Sequence, residues 1–353
     1  MNNLVFTRLL YPKNGIKSSI KNSFQEKRSY EEFVFWCSEL YYSGYEEYTF
    51  QILFEIYYDY VFIEDDDNKI NEFIETTYEK WLKSYKEIKL KTKDNLLLKI
   101  TEKLYFAKYN LLIEKYMKSI RNGEKKITIY RGKKPEWLNI YKQEEKPFIY
   151  SLYKTNLQNI IILSYNLNKN KNYTIENMYK LIEESNTIKI EKSKHLKNYT
   201  NEHHKLVYDI LKSLIKLDEK KELVRKKTKK EVLSKELIAK MMSNYSDNEE
   251  NPRFIIRNYR KYKIIYNEEM SKDDKKDLLK KYNYNWLYYA CECPLWNKRI
   301  KEYGGKQNHS KEEIEFDEED DETGYSVFDK FHLKYEYEPD EQPKGFTEQI
   351  VHK

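Results

Sequence analysis

From Glu31 to Val61 the chain reads EEFVFWCSELYYSGYEEYTFQILFEIYYDYV, two helix-length runs dense in aromatic side chains that meet at one glycine, Gly44. Rings recurring at helical spacing on both arms must be buried against each other or against further helices. Glycine suits the left-handed position that ends a helix. The segment therefore reads as a buried helical hairpin and not as a catalytic loop. Ser29 with Glu32 fits a capping box opening the first arm, which carries Phe33, Trp36 and Leu40. The second arm runs from about Tyr45 to Val61, with Phe50, Leu53, Phe54, Tyr57 and Tyr58 on its apolar side.

Further helices follow from the same periodicity. They cover about Ile70–Ile88, Asp94–Ile120, Phe148–Leu163, Thr174–Glu184, Thr200–Leu217, Lys230–Met242, Pro252–Glu269 and Lys272–Cys291, with a short one after Pro294. Glu64-Asp65-Asp66-Asp67-Asn68 reads as a solvated connector. ITIYRGKKPEW favours a short strand or extended piece near 126–131, since β-branched residues and Tyr fit that geometry. With 8 Gly and 7 Pro in 353 residues, a many-stranded fold lacks its turn residues. The expected class is mainly α: an irregular multi-helix bundle or α-solenoid-like array. No fixed-period repeat is present. Composition divides the chain into an aromatic-rich helical domain (1–122), a second helical region packed on it (123–304) and an acidic, mostly disordered tail (305–353), where Phe328, Phe331, Tyr335 and Tyr337 are available as anchors.

The chain holds 35 Tyr. Tyr, Lys, Asn and Ile are all abundant and share AT-rich codons, so base composition accounts for much of this. Physically, Tyr buries a ring while keeping a hydroxyl for a partner or for water. Net charge is +6, yet between Lys311 and Glu341 fourteen Asp/Glu face three Lys. A basic body with an acidic tail fits proteins that meet polyanions or self-assemble. The three cysteines, Cys37, Cys291 and Cys293, are an odd count with no secretory leader, which implies a reducing compartment. No run approaches the length of a membrane span.

Catalytic signatures are missing. Arg131-Gly132-Lys133-Lys134 lacks the glycine spacing of a phosphate loop, and neither a nucleophile elbow nor a kinase set is present. His195, His203 and His204 do not share a helical face, as adjacent residues point about 100° apart; an exposed polar face is the simpler reading. Cys291 and Cys293 have no second cysteine pair for zinc. No cofactor, metal or small-molecule substrate is expected, and no enzymatic activity.

Two basic stretches point to nucleic acid. One is Arg225, Lys226, Lys227, Lys229 and Lys230. The other is Arg253, Arg257, Arg260 and Lys261, interleaved with Phe254, Tyr259 and Tyr262. Cations neutralise phosphates while aromatics stack on unpaired bases; solvated helix faces with buried rings would give the same pattern. Tyr282, Leu287 and Tyr288 fit Tyr-x4-Leu-hydrophobic, the pattern with which translation-initiation scaffolds grip the cap-binding protein when it lies on one helical face.

MNNLVFTRLLYPK, FWCSELYYSGYEE with FEIYYDYV, PLWNKRIKEYGGK and YEPDEQPK resemble a family of uncharacterised proteins of giant nucleocytoplasmic DNA viruses, the mimivirus relatives. The resemblance covers roughly the first 60 and last 70 residues. It implies a virus replicating in host cytoplasm and brings no catalytic residues. The expected role is a non-enzymatic scaffold or adaptor of the viral factory or virion, with viral or host proteins as partners. The alternative is a nucleic-acid-binding accessory factor in viral transcription or translation initiation.

Overall fold

A computed structural model of the chain describes residues 4–65, 67–86, 90–111, 114, 127–128, 130, 133–169, 173–190, 202–217, 224–225, 233–234, 262, 264, 271–317 and 324–335. The fold is mainly α and built from many helices. No helix among the described residues is long and apolar enough to cross a membrane. Two compact units interleave along the chain. One takes residues 1–52, 88–105 and 230–353; the other takes 53–87 and 106–229. These are not the contiguous blocks 1–122, 123–304 and 305–353 that composition marks out. The cause is packing at a distance: the chain leaves each unit and returns to it.

The first unit is organised around the helix Tyr30–Tyr42. Every residue of it except Glu31 is buried, because its apolar side chains cover all faces and helices must surround it. Ser29 caps its start, accepting from the Glu32 N–H. The Glu32 carboxylate accepts from Trp36 Nε1 and Arg28. The helix Lys13–Gln25, unmarked by the sequence pattern, packs along it, as does Leu90–Tyr105. Phe24 meets Phe33 at 5.9 Å and Phe33 meets Tyr105 at 5.6 Å.

The N-terminal strand-like turn is also core. Arg8 and Glu39 form an ion pair of 2.8 Å, with side chains only 1% and 0% exposed. Glu39 Oε1 also accepts from Thr7 Oγ1 at 2.6 Å and from the Leu9 N–H at 2.9 Å. Trp296, on the helix Pro294–Glu302, donates its Nε1 proton to the Thr7 carbonyl.

Gly44 closes the 30–42 helix at φ +88°, and a Cβ there would stand 2.6 Å from Pro294 Cβ. Both the left-handed backbone and the proline exclude a side chain. Gly44→Ala is expected to lower stability by about 1–3 kcal/mol from backbone strain alone, more with the clash. Urea denaturation measures it; an unchanged midpoint would show that Pro294 and the turn yield freely.

Beyond Gly305 the described residues, 306–317 and 324–335, carry regular structure. Lys306–Asn308 pairs antiparallel with Glu313–Glu315, and Val327–Tyr335 is helical. Phe331 and Tyr335 are buried, against Tyr303 and Trp296. Two large rings on one turn outweigh the acidic composition around them. Phe328 rests on Phe316, while Tyr337 lies outside the described residues.

The helix Glu46–Ile56, whose last residues open the second unit, runs into a π-turn, Tyr57–Val61, then a 3-10 turn, Phe62–Glu64. All five π-turn residues are buried. The expected solvated connector is in part an inward-turned cap. Asp65, 3% exposed, accepts from Tyr57 Oη and from the Ile70 and Asn71 N–H groups at the start of Lys69–Lys86.

The core of this unit joins the helices Lys146–Tyr153, Leu157–Lys169, Ile175–Ser185 and Glu202–Leu217 through Phe148, Ile160, Met178, Ile182, Leu206 and Ile210. The single helix expected over Phe148–Leu163 is two. Thr155 at φ +52° breaks it, and Asn156 restarts it by accepting from the Asn159 N–H.

Of the helix expected over Asp94–Ile120, the part within Leu90–Tyr105 forms; Tyr109–Asn110 then pairs with Val224–Arg225, and residues 115–120 lie outside the described residues. Near 126–131 the described residues carry no ladder. There the buried Asn159 side chain accepts from the Thr128 N–H and donates to its carbonyl, doing what a neighbouring strand would do.

Candidate interaction surfaces

Six carboxylates are buried among the described residues: Glu32, Glu39, Asp59, Asp65, Glu145 and Asp209. Each already accepts from a fixed donor. Tyr208 donates to Asp59 at 2.7 Å, Tyr57 to Asp65 at 2.9 Å, Tyr173 to Glu145 at 2.8 Å and Tyr179 to Asp209 at 2.7 Å. Burial, and then the adjoining carboxylate, push the Tyr57 and Tyr173 hydroxyls well above their ordinary range, so they stay protonated as donors. The arrangement is a set of structural ties. It uses the tyrosine hydroxyls that the composition supplies in excess.

The residues singled out by sequence have separate fates. Tyr282 is fully buried, edge-on to Phe6 at 5.6 Å. The helix carrying it ends at Tyr284, and a new one, Trp286–Ala290, starts after Asn285. Leu287 and Tyr288 are half-buried, and Tyr288 Oη hydrogen-bonds His309 Nδ1. Tyr282 and Leu287 thus do not share the one continuous exposed helical face that a docking Tyr-x4-Leu motif requires. The pattern matches because an aromatic core generates it by chance.

Arg225 lies in the short pairing with Tyr109. Lys226, Lys227, Lys229, Lys230, Arg253, Arg257, Arg260 and Lys261 lie outside the described residues, as do the helices expected over 230–242 and 252–269 apart from Leu233, Ser234 and the buried Tyr262 and Ile264, none of which is helical. His203 is buried and shares a hydrogen bond with Ser164 Oγ at 3.1 Å; it is not on an exposed face. Cys37, Cys291 and Cys293 are free and buried, and burial pushes the Cys293 thiol up to about 11.

Two aromatic surfaces stand out, the first on the segment whose Phe328, Phe331 and Tyr335 the sequence offers as anchors. In the first unit, the helix Val327–Tyr335 is apolar on two sides. Phe331 and Tyr335 face inward, while Tyr325, Phe328 and Leu333 are 52%, 46% and 58% exposed.

In the second unit, the 3-10 turn Glu136–Ile140 buries Leu138 and places Trp137 and Ile140 three residues apart, on one side of a three-residue-per-turn helix. They are 37% and 80% exposed. The helix Lys146–Tyr153 buries Phe148, Ile149 and Leu152 and sets Tyr150 and Tyr153 one turn apart. Trp137 meets Tyr153 at 5.5 Å and Tyr141 at 6.3 Å. Tyr153 lies 6.2 Å from Tyr150 with planes 22° apart, and Tyr150 meets Tyr130 at 5.1 Å. Five rings thus touch in series. In sequence this surface is a set of ring pairs spaced three or four apart, Tyr150/Tyr153 and Trp137/Tyr141, which looks the same as core spacing.

Comparison with protein-family models, with curated proteins and with solved structures returned no match.

Proposed function

We propose that the chain is a non-enzymatic helical adaptor that docks other proteins. The observation that carries this reading is the helix Val327–Tyr335. It is held to its unit by Phe331 and Tyr335, yet it leaves Phe328 and Leu333 open to solvent, with Tyr325 exposed just before it. A helix with apolar side chains on more than one face is a buried element in most folds, and exposed aromatics are the anchors on which interfaces concentrate their energy. The fixed donors on all six buried carboxylates agree with it, since a general acid or base must be free to exchange its proton with a substrate.

On the resemblance to giant-virus proteins, the partners are viral or host proteins of the cytoplasmic factory or the virion. The test is affinity purification of the full chain from infected cells, with a parallel nuclease-treated arm. The expected result is a defined set of co-purifying proteins that resists nuclease and is lost in a Phe328→Ser, Leu333→Ser variant of unchanged helicity. Recovery of no stable partner, or of the same partners by the variant, would refute the adaptor reading.

A further inference from the structure

We propose that the five-ring surface of the second unit, Tyr141–Trp137–Tyr153–Tyr150–Tyr130, is a stacking platform for single-stranded nucleic acid. The proposal is independent of the docking helix and of the basic stretches at 225–230 and 253–261.

The first support is the rings themselves. Tyr153 is 50% exposed and Trp137 37%, in a chain that buries Trp36, Trp81 and Trp296 completely. They are held by short helical turns whose other faces, Leu138, Phe148, Ile149 and Leu152, belong to the core. The rings are therefore positioned before any ligand arrives. Unpaired bases stack on such rings with little regard to sequence, because every base presents a π-face.

The second support is charge. From Lys133 to Lys154 the sequence carries five Lys against three Glu. Two of those three are engaged: Tyr173 donates to Glu144 and to Glu145, and Glu145 also accepts from the Lys142 N–H. Glu136 and Glu144 remain as exposed counter-charges, and Glu184 stands near Tyr141. Lys133 and Lys134 are exposed immediately before the 3-10 turn and make no ion pair among the described residues. Lys154 places its ammonium 5.3 Å from the Tyr153 centroid and 5.7 Å from that of Tyr150. A cation beside a ring is what a nucleotide requires, since its phosphate sits within reach of the base that stacks. An apolar protein partner would be served by the rings but not by surplus lysines. A duplex hides its base faces and would meet the lysines alone.

The experiment is fluorescence anisotropy of the full chain with labelled oligo(dT) and oligo(rU) of about twenty nucleotides, beside a duplex of equal length and polyglutamate as a polyanion without bases. Single strands are expected to bind about tenfold or more tighter than either control. A Trp137→Ala, Tyr153→Ala variant should lose about tenfold or more in affinity while keeping its salt dependence. Trp137→Phe should retain most of the binding. Lys133→Glu with Lys134→Glu should flatten the log–log salt slope by about 1.4, near 0.7 for each single-strand phosphate contact removed. No binding at about 50 mM salt, equal affinity for duplex or polyglutamate, or unchanged affinity in the Trp137→Ala, Tyr153→Ala variant would each overturn the proposal.

Discussion

Glu39→Ala is expected to destabilise the chain by about 3–5 kcal/mol, the range for a buried ion pair stripped of one partner. Arg8 and Glu39 are both inaccessible to water. Removing the carboxylate therefore leaves a guanidinium in the core with no water to replace its counter-charge. It also removes the acceptor for Thr7 Oγ1 and for the Leu9 N–H. The Arg8 N–H is held separately by Ser43 Oγ, which in turn donates to the Glu39 carbonyl. The backbone turn is thus kept while the buried guanidinium loses this carboxylate. Glu39→Gln restores an oxygen for Thr7 and Leu9 but not the charge, so it should fall nearer the alanine variant than the wild type. Chemical denaturation of the three chains gives the ordering. A loss below about 1 kcal/mol for Glu39→Ala would mean that Arg8 reaches solvent by a small rearrangement and that the pair behaves as a surface one.

Asp65→Ala is the second large effect, expected at about 2–4 kcal/mol from the lost cap together with an unpaired buried donor. Asp65 accepts from two N–H groups opening the 69–86 helix and from Tyr57 Oη inside the π-turn. One carboxylate thus ties the end of one element to the start of the next. Its carbonyl and Asn68 Oδ1 also receive Lys212 Nζ at 3.1 and 3.2 Å, and that ammonium lies 4.3 Å from the Phe62 centroid. The backbone carbonyl survives the substitution, so the Lys212 contact should persist. Asp65→Asn keeps a capping oxygen and should lose less, about 1 kcal/mol. Hydrogen exchange localises the effect. Protection should fall first at Ile70 and Asn71; uniform loss across the second unit would show that Asp65 holds more than the helix start.

The same residues show how far a linear reading reaches. Ser29, Gly44, Thr174 and Pro294 mark helix ends in the sequence and do so in the structure. Each acts through backbone groups a few residues away, so its meaning is local. Asp65 and Tyr282 take their surroundings from distant groups instead. An acidic run normally faces water, and a tyrosine with a leucine five residues on can sit on one helical face. Their actual surroundings are supplied by Tyr57 across a π-turn and by Phe6 almost three hundred residues away. The ring surface at 137–153 was invisible for a related reason. Aromatic spacing reports that a face is apolar, not which side of the molecule it occupies.

The amino-acid sequence alone determined that this chain is helical, where several helices begin and end, and that its aromatic side chains far exceed its turn residues. These follow from torsional preference and from hydrogen bonds closed within about four residues. Tertiary structure decided which tyrosines became ties to buried carboxylates, which carboxylates left water, and which rings stayed outside. Burial depends on what approaches from elsewhere in the chain, and neither propensity nor periodicity carries that information.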